Sequence, residues 1–392
     1  MINPIISIIK KERKIIGNSS YMLLANIIGS TISLVANFSL SLILGPIGLG
    51  SFKTISSFFE GVPVSLGTDT TLTKYIPELE AKKELGKIKH LLKSFYLVRI
   101  GTVFVFVIIF YILREELAFK LLKDTSNIKV IYAGIVLFII SSLDLIRLCV
   151  LGFRNYTLYI NTNLLISVLR NIFALICACL WGIPAAILAL GLSLILGLMP
   201  SINFLRKREL FSVQSVPINV WQVMKNYSLP VYFAGLTGLV GSLNIPLLAL
   251  FYSQKTIGYY SFALMIGSLV ALVSGALGQI FFPEVVLEHS RNGAQASLKK
   301  LTRILAIFIT ASLIIIPAGI AVSAPLVHHF AGTYTPAIPI ITPLLFIYSF
   351  IGALSLITAY CTAIGKNKMA AILNLLSSIF LFTTSFMILR LI

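Results

Sequence analysis

Charged residues are scarce in this 392-residue sequence, and acidic residues are the scarcest of them. Asp, Glu, Lys and Arg together make up 11% of the chain, whereas hydrophobic residues make up 58%. About a quarter of the residues in a soluble domain are charged, so a water-soluble fold of this length would lack the charges needed to cover its surface. The composition excludes a soluble protein and predicts an all-α polytopic membrane protein.

The sequence also lacks the patterns that mark metal sites, disulfide frameworks and most enzymes. Its four cysteines, Cys149, Cys177, Cys179 and Cys361, lie in apolar runs without metal-ligand or disulfide spacing. P-loop and HExxH motifs are missing, and His328 and His329 stand at the end of an apolar run, where facing water is favoured over binding a metal. We therefore expect no enzymatic activity, no metal and no cofactor.

The small number of acidic residues leaves a net charge of +18. Nucleic-acid binders can carry such a charge, but in a membrane chain it more often reports orientation, because Lys and Arg collect in cytoplasmic segments. We expect no nucleic-acid partner. The basic start, Lys10 to Lys14, precedes an apolar stretch longer than the core of a signal peptide. We therefore predict an uncleaved, cytoplasmic N-terminus and a multi-pass protein of the cytoplasmic membrane.

Eleven membrane-crossing helices are predicted. Ten apolar stretches reach the length of about 20 residues that a crossing needs, at residues 20–44, 95–113, 131–153, 157–180, 183–204, 228–251, 257–281, 302–326, 336–364 and 369–391. The eleventh is the more polar stretch from Ser51 to Tyr75, because the basic N-terminus and the basic loop of residues 82–93 must both lie inside. The inner segments then carry 20 Lys and Arg residues and the outer segments carry 5, as the positive-inside rule requires.

The two parts of the chain resemble each other. The motifs Gly48-Leu-Gly-Ser51-Phe52 and Ile76-Pro77-Glu78 correspond to Gly258-Tyr-Tyr-Ser261-Phe262 and Phe282-Pro283-Glu284. Both copies begin with an outward helix and lead to an inner basic loop, which is typical of the parallel repeats of transporters. We predict a six-helix bundle over residues 1–209, an interfacial linker over 210–226 and a five-helix bundle over 227–392, with substrate bound between the bundles.

Charged side chains within the spans are concentrated in the first half, where we expect a polar cavity. The candidates for substrate binding are Lys53, Arg99, Arg147 and Arg170, and the candidates for coupling to an ion are Glu60, Asp69 and Asp144. Charged groups inside a membrane usually face a cavity or a partner. The excess of cationic groups suits an anionic substrate such as a lipid-linked phosphate or diphosphate.

For Arg170, Arg147 and Asp144 a structural role competes with a binding role. At about 1.5 Å per residue, Arg170 lies roughly 16 Å into the layer, near its midplane. It either faces the cavity or pairs with Asp144 or Glu60. The spacing of Asp144 and Arg147, three residues apart, favours an internal ion pair on one helix face.

The roles of Arg99, Glu60 and Asp69 also have alternatives. Arg99 lies only a turn inside the inner boundary, where an anchor that reaches toward the interface is at least as well supported as a ligand. Glu60 and Asp69 are nine residues apart and point to opposite sides of a regular helix. Both can line one path only if Pro63 bends that helix.

Leu44-Gly45-Pro46 followed by Gly48 to Phe52, and Ser65-Leu66-Gly67 running to Lys74-Tyr75-Ile76-Pro77, resemble segments of the polysaccharide-biosynthesis (Wzx-type, O-antigen) flippases. These flippases belong to the multidrug/oligosaccharidyl-lipid/polysaccharide exporter superfamily, together with MATE drug exporters and the lipid II flippase. Members have 12 or 14 helices, so a chain with eleven is expected to have lost its closing helix or to be truncated.

The resemblance implies two MATE-like bundles in a V shape around a cationic cavity. It also implies translocation of a polyprenyl-diphosphate-linked oligosaccharide across the cytoplasmic membrane by alternating access, driven by an ion gradient. The implied partners are membrane lipid, the lipid-linked oligosaccharide and glycan-assembly proteins.

Two further functions remain open at this point. A MATE-like cation-coupled multidrug exporter would rely on acidic cavity residues, whereas most of the candidates here are basic. A scaffold within a glycan-assembly complex is favoured if the absent helix prevents the bundles from alternating. Stabilisation by lipid diphosphates rather than by organic cations would distinguish the flippase from the exporter.

Overall fold

The structure is a computed structural model that describes the backbone of residues 2–208, 210 and 212–390. Side chains are described from residue 28 onwards, except at positions 209, 211, 234, 279, 280, 283, 287, 290, 291, 391 and 392. The side chains of the predicted basic cluster from Lys10 to Lys14 and of Pro283 lie outside this part. Within it the chain forms helices joined by turns, without a β-strand, as the composition predicts.

The α-helices of the first half are α1 (Ile2–Gly61), α2 (Thr68–Ala81), α3 (Leu85–Ile112), α4 (Arg114–Leu117), α5 (Ile128–Ser141), α6 (Leu145–Gly152), α7 (Tyr156–Gly197) and α8 (Met199–Lys207). The second half contains α9 (Val220–Val223), α10 (Leu229–Gly235), α11 (Leu239–Ser242), α12 (Asn244–Ala249), α13 (Gln254–Phe330), α14 (Ile338–Ala363) and α15 (Asn367–Leu389). Short π- and 3₁₀-helical turns interrupt or extend several of them, as at Met224–Ser228 and Gly332–Ala337.

Three of the long helices are kinked at a glycine. Gly45 in α1, Gly182 in α7 and Gly293 in α13 have φ values of 65°, 76° and 78°, with ψ values of 178°, −161° and −172°. Positive φ combined with ψ near 180° is open essentially to glycine alone. Each of these helices is therefore two helical segments joined at one residue.

Eight stretches of the described chain are long and apolar enough to cross a membrane. Two of them, Ile28–Gly61 and Tyr156–Lys207, contain the kinks at Gly45 and Gly182. The broken helices from Val220 to Ala249 lie outside the eight. Dividing the two kinked stretches and adding the broken segment leads to the eleven crossings expected from the sequence, and that number stays a prediction.

The predicted span from Ser51 to Tyr75 is not one continuous helix. Helix α1 ends at Gly61 and α2 begins at Thr68. Between them, Pro63 lacks the N–H that a helix would use, and Gly67 adopts a φ of 74°. A Cβ atom on Gly67 would lie 2.0 Å from the backbone oxygen of Ser228, so a larger residue does not fit there. The bend considered at Pro63 is a full break in the helix.

Each half has its own apolar core. In the first half the rings of Phe59, Phe110 and Phe138 pack edge to face, with Phe110 lying 5.2 Å from each of the other two centroids. In the second half Phe262 stacks on Tyr334 at 4.4 Å. Edge-to-face and offset pairs of this kind stabilise a core beyond the area they bury. The core of the second half also includes Leu49 of α1, so it helps to join the two halves.

The segment between α8 and α9 packs on the start of α3. The Val216 N–H donates to the Gly86 carbonyl at 3.0 Å, and Lys89 Nζ donates to the Val213 carbonyl at 2.8 Å. Arg208 forms an ion pair with Glu80. We call this the basic end of the molecule, defined by residues 82–93, Arg154 and residues 206–208. Helix α9 starts inside the predicted interfacial linker of residues 210–226. The domain boundaries stay predictions.

At the opposite end, which we call the Gly45 end, the two halves are in direct contact. A Cβ atom on Gly258 would lie 1.8 Å from the carbonyl oxygen of Pro46, and one on Gly50 would lie 2.0 Å from that of Gln254. The glycines let α1 and α13 approach until their backbones touch. Hydrogen bonds across this contact run from Thr54 Oγ1 to Gln254 Oε1 (3.3 Å), from Tyr334 Oη to the Ser41 carbonyl (2.8 Å) and from Lys123 Nζ to the Leu250 carbonyl (2.7 Å).

Candidate functional site

A cavity of about 710 Å³ lies within the first half, between α1, α2, α3, α5, α6 and α7. We call it the central cavity. Its lining includes all seven charged candidates identified in the sequence: Lys53, Glu60, Asp69, Arg99, Asp144, Arg147 and Arg170. Ligand cavities typically have volumes of about 300–1,000 Å³, so this one is large enough to hold part of a sizeable substrate.

The break between α1 and α2 explains how Glu60 and Asp69 reach the same cavity. Glu60 is next to the last residue of α1, and Asp69 is in the first turn of α2. On one regular helix their nine-residue spacing would point them apart. Since the non-helical residues 62–67 reorient α2, both carboxylates face the central cavity.

Arg170 pairs with Glu60 and still faces the cavity. Its Nη2 donates to Glu60 Oε2 at 2.7 Å, and 40% of its side chain remains exposed. The cavity-facing position and the ion pair, which the sequence left as alternatives, therefore occur together. One hydrogen bond to Glu60 leaves most of the five guanidinium N–H groups for another acceptor.

Arg99 is held more tightly. Its Nη1 lies 2.7 Å from Asp69 Oδ1, and only 6% of its side chain is exposed. Among the described side chains, Arg99 Nε is one of the few buried polar atoms without a hydrogen-bond partner. A side chain that reached toward the membrane interface as an anchor would be more exposed. Arg99 instead forms a buried ion pair at the cavity wall.

Arg147 and Asp144 form the ion pair that their spacing predicts. Arg147 Nε and Nη2 donate to the two carboxylate oxygens of Asp144 at 2.7 and 2.6 Å, a bidentate arrangement. The remaining Nη1 donates to Asn163 Oδ1, and the guanidinium carbon lies 5.4 Å from the centroid of the Tyr159 ring. Arg147 is therefore committed to its neighbours on several sides.

Lys53 differs from the three arginines because its hydrogen-bond partner is neutral. Its Nζ donates to Asn37 Oδ1 at 2.6 Å. The four cations and three carboxylates of the central cavity give a formal net charge of +1. The acidic candidates thus lie beside the basic ones in one cavity, whose net positive charge is small.

A group of uncharged polar residues on the facing sides of α1 and α7 was not predicted from the sequence. Asn171 Nδ2 donates to Ser33 Oγ at 2.9 Å, and Ser33 Oγ lies 3.3 Å from Ser167 Oγ. The signal was available in their spacing: Ser33 and Asn37 are four apart, and Asn163, Ser167 and Asn171 repeat at the same interval. Amides and hydroxyls at i, i+4 in an apolar span share one face, which must be turned away from lipid.

No group of three or more His, Cys, Asp or Glu residues that could hold a metal ion occurs among the described residues. The four cysteines are unpaired, and Cys149 Sγ donates to the Leu145 carbonyl of its own helix at 3.1 Å. The central cavity therefore offers hydrogen-bond donors, ion pairs and carboxylates. Such a set can bind charged groups or exchange one charged partner for another.

The sequence matches one protein family. Residues 15–285 match the sequence model of a family described as "Polysaccharide biosynthesis protein". Among curated proteins, none matches the chain.

Solved structures with similar folds cover almost the whole chain. The lipid II flippase MurJ in an inward closed conformation has a TM-score of 0.68 and 13% identity, over 95% of this chain and 87% of its own. An outward-facing multidrug resistance MATE family transporter of the MOP superfamily has a TM-score of 0.65 and 12% identity, over 96% and 93%. A MOP superfamily transporter from Pyrococcus furiosus, whose binding pocket is described as having reverse polarity, has a TM-score of 0.57 and 12% identity, over 96% and 93%. At these identities the comparison shows the fold, a MATE-like and MurJ-like bundle.

Proposed function

The chain belongs to the polysaccharide biosynthesis protein family, and from this premise we propose that it is a flippase for a lipid-linked oligosaccharide. The substrate would be a polyprenyl diphosphate carrying a glycan, moved across the cytoplasmic membrane for the synthesis of a cell-surface polysaccharide. The fold supports this proposal, because it is shared with a lipid II flippase and with a MATE family transporter of the MOP superfamily.

The observation that carries the proposal is the group of four cations around one cavity inside the membrane-spanning first half. A diphosphate cannot enter a hydrocarbon layer unless groups of opposite charge and hydrogen-bond donors replace its water. Arginine is well suited to this because its planar fork binds two phosphate oxygens at once. We infer that the diphosphate binds in the central cavity while the polyprenyl chain stays in lipid.

Arg170 and Lys53 are the residues from which we expect the largest contribution to binding. Arg170 keeps 40% of its side chain exposed and a single carboxylate partner, and the ammonium group of Lys53 is held by the neutral Asn37. Arg147 and Arg99 are more fully committed to Asp144 and Asp69, so we assign them a supporting role in holding the cavity positive.

The carboxylates would couple transport to an ion gradient. A diphosphate that binds Arg170 competes with Glu60 for the same guanidinium. Once displaced, Glu60 would be an unpaired carboxylate in a low-dielectric cavity and would take up a proton or a cation. Asp69 and Asp144 remain the other candidates for this role. Uptake of the ion and of the substrate would then be linked at one site.

We propose alternating access as the transport mechanism. The halves touch at the Gly45 end through backbone contacts and hydrogen bonds across α1 and α13. Structures with this fold include inward closed and outward-facing conformations, which supports a rocking motion of the two bundles. With a cytoplasmic N-terminus, the basic end would face the cytoplasm and the Gly45 end the exterior.

The decisive test is translocation in proteoliposomes that contain a defined lipid-linked oligosaccharide. Arg170→Ala should lower the initial rate by about 10- to 100-fold, because one charged hydrogen bond to the diphosphate is lost. Arg114→Ala is the matched control, since Arg114 lies outside the cavity and pairs with its neighbour Glu115. A wild-type rate in Arg170→Ala protein that folds normally would contradict the assigned role.

One observation favours a second candidate function, a MATE-like cation-coupled multidrug exporter. Three carboxylates line the central cavity, and a cationic drug could replace an arginine as the partner of one of them. The two functions differ in which ligand raises the melting temperature of the purified protein. The flippase predicts stabilisation by undecaprenyl diphosphate, and the exporter predicts stabilisation by organic cations such as tetraphenylphosphonium.

A further inference from the structure

A second cavity of about 390 Å³ adjoins the central cavity and differs from it in chemistry. We call it the side cavity. Its polar lining consists of Ser30, Ser33, Asn37, Asn163, Ser167 and Ser268, and no charged side chain lines it among the described residues. Four of these residues, Ser33, Asn37, Asn163 and Ser167, also line the central cavity. The two cavities therefore meet along a wall made only of hydroxyl and amide side chains.

The side cavity lies between the two halves of the molecule. The first half contributes its wall through α1 and α7, and the second half contributes Met265, Ser268 and Leu272 from α13. The central cavity, by contrast, is lined by the first half alone. A ligand that extends from the central into the side cavity would consequently touch both halves.

Two cations of the central cavity fix the orientation of the shared amides. Lys53 Nζ donates to Asn37 Oδ1, and Arg147 Nη1 donates to Asn163 Oδ1. Because each amide oxygen is turned toward a cation, each amide nitrogen points the other way. Asn37 Nδ2 uses one of its hydrogens on the Ser33 carbonyl at 2.6 Å and has a second to donate. The shared wall thus presents oriented N–H donors next to serine hydroxyls, which both donate and accept.

From this arrangement we propose that the side cavity is a saccharide subsite, which binds the uncharged sugar attached directly to the diphosphate. The inference rests on the proposed flippase function and specifies where its substrate's glycan lies. Sugar hydroxyls are paired donors and acceptors, and serine and asparagine side chains match them. The cavity volume of about 390 Å³ falls within the range of small-ligand sites, and Met265 and Leu272 can cover the apolar C–H face of a sugar ring.

The adjacency of the cavities fits the covalent order of the substrate. In a lipid-linked oligosaccharide the first sugar is bonded to the distal phosphate, and Lys53 of the central cavity contacts Asn37 of the shared wall. A diphosphate bound by Lys53 would therefore have its first sugar beside that wall. The sugar then contacts α13 through Ser268. Binding of the glycan would therefore affect how the halves pack against each other, whereas binding of a bare lipid diphosphate would not.

The test measures the affinity of the full-length purified protein for two probes: undecaprenyl diphosphate and undecaprenyl diphosphate bearing one neutral hexose. The variant is Ser268→Leu, which removes the hydroxyl and fills part of the side cavity, with Ser268→Ala as a milder second variant. Ser355→Leu is a matched control. Ser268 and Ser355 lie on second-half helices, and each donates to the carbonyl three residues earlier, at 3.0 and 2.8 Å. Ser355 lies outside both cavities.

The wild type should bind the hexose-bearing probe about tenfold more tightly than the bare one, as expected for one or two additional hydrogen bonds. Ser268→Leu should remove this difference and leave the affinity for undecaprenyl diphosphate unchanged. Ser268→Ala should reduce the difference, and Ser355→Leu should preserve it.

Two other results have different meanings. If the wild type binds both probes equally, or if Ser268→Leu weakens both equally, the saccharide subsite is wrong while the flippase function stands. If the wild type binds neither probe, the flippase function is wrong and the subsite fails with it. Arg170→Ala provides a positive control, because it should weaken the binding of both probes by the same factor.

Discussion

The three arginines of the central cavity differ in how much of each guanidinium is still available. Arg99 is 6% exposed and Arg147 is 23% exposed, whereas Arg170 is 40% exposed. A buried arginine whose carboxylate partner is close contributes mainly to the integrity of the fold, because the loss of either partner leaves an uncompensated charge. Arg99 should therefore behave as a structural residue and Arg170 as a binding residue.

Arg99→Ala should destabilise the protein by about 3 kcal/mol. This is the low end of the range for breaking a buried ion pair, because Asp69 keeps partial access to the cavity. The measurement is the midpoint of unfolding in detergent. Lys120→Ala is the control: Lys120 and Glu116 are more than half exposed, and such surface pairs contribute about 0–1 kcal/mol. A loss in Arg99→Ala no larger than in the control would contradict a structural role.

The double variant Arg99→Leu, Asp69→Leu separates loss of the pair from loss of packing. With both charges removed, no unpaired group remains in the low-dielectric wall, and part of the lost stability should return. The stability loss of the double variant is compared with the sum of the losses in Arg99→Leu and Asp69→Leu. If the two values are equal, the two residues are not coupled, and the pair at 2.7 Å does not stabilise the fold.

Local ion pairs could be predicted from the sequence, and long-range pairs could not. Asp144 and Arg147 are three residues apart on one helix, so helical geometry alone brings them together. Arg170 and Glu60 are 110 residues apart, and their contact depends on how α1 and α7 pack. Charge and depth identified both as candidates, but the choice between Glu60 and Asp144 as the partner of Arg170 required the packing.

At the level of the helices, hydropathy predicted the apolar segments and missed how they are joined. The predicted spans already divide near Gly45 and Gly182, but a hydropathy profile does not show that a single glycine with positive φ joins the two segments in each case. The break between α1 and α2 was foreseen only as a possible bend at Pro63. The close approach of Gly67 to the backbone of Ser228, which is far away in the sequence, could not be predicted.

The contact of α1 with α13 leads to a prediction about Gly258. Gly258→Val should separate the halves at the Gly45 end, because its Cβ would lie 1.8 Å from the Pro46 carbonyl oxygen. A forced shift of this kind costs about 1–3 kcal/mol, which a lower unfolding midpoint would report. Gly275→Val on the same helix is the control, since a Cβ there meets nothing within 4 Å.

The same pair of variants examines whether the contact matters for transport. If the halves separate and rejoin at this end during each cycle, Gly258→Val should also slow translocation, whereas Gly275→Val should leave it near the wild-type rate. Equal unfolding midpoints for the two variants would show that α1 and α13 are not packed as closely as the backbone contacts indicate.

At the scale of the whole molecule, the two segments predicted as copies of an internal repeat lie close together: a Cβ atom on Gly50 would lie 3.0 Å from the backbone nitrogen of Gly258. Gly48 to Phe52 in one copy and Gly258 to Phe262 in the other lie at the start of corresponding helical segments, and the two segments meet at the Gly45 end. Parallel repeats related by an axis along the membrane normal bring equivalent elements together in this way. The repeat itself stays a prediction, and the contact between its two copies could not be predicted from the sequence.

The orientation in the membrane can be tested with two lysines that flank α3. Lys82 lies at the basic end and Lys120 beyond the other end of α3, and both are exposed. Cys177 and Cys179 are first replaced by alanine, because they are not buried and would react with the reagent. Cys149 and Cys361 are kept, since they are buried and buried thiols react slowly. Lys82→Cys and Lys120→Cys are then made separately in this background and treated with a membrane-impermeant maleimide.

In intact spheroplasts Lys120→Cys should be labelled and Lys82→Cys should not, because the lysine-rich turn is retained on the cytoplasmic side. Permeabilising the membrane should allow labelling of Lys82→Cys. The reverse labelling pattern would show that the Gly45 end faces the cytoplasm. The proposed orientation and direction of transport would then be wrong. Labelling of both in spheroplasts would mean that α3 does not cross the membrane, despite its 28 residues and apolar sequence. The number of crossings would then have to be revised together with the assignment of the central cavity to the membrane interior.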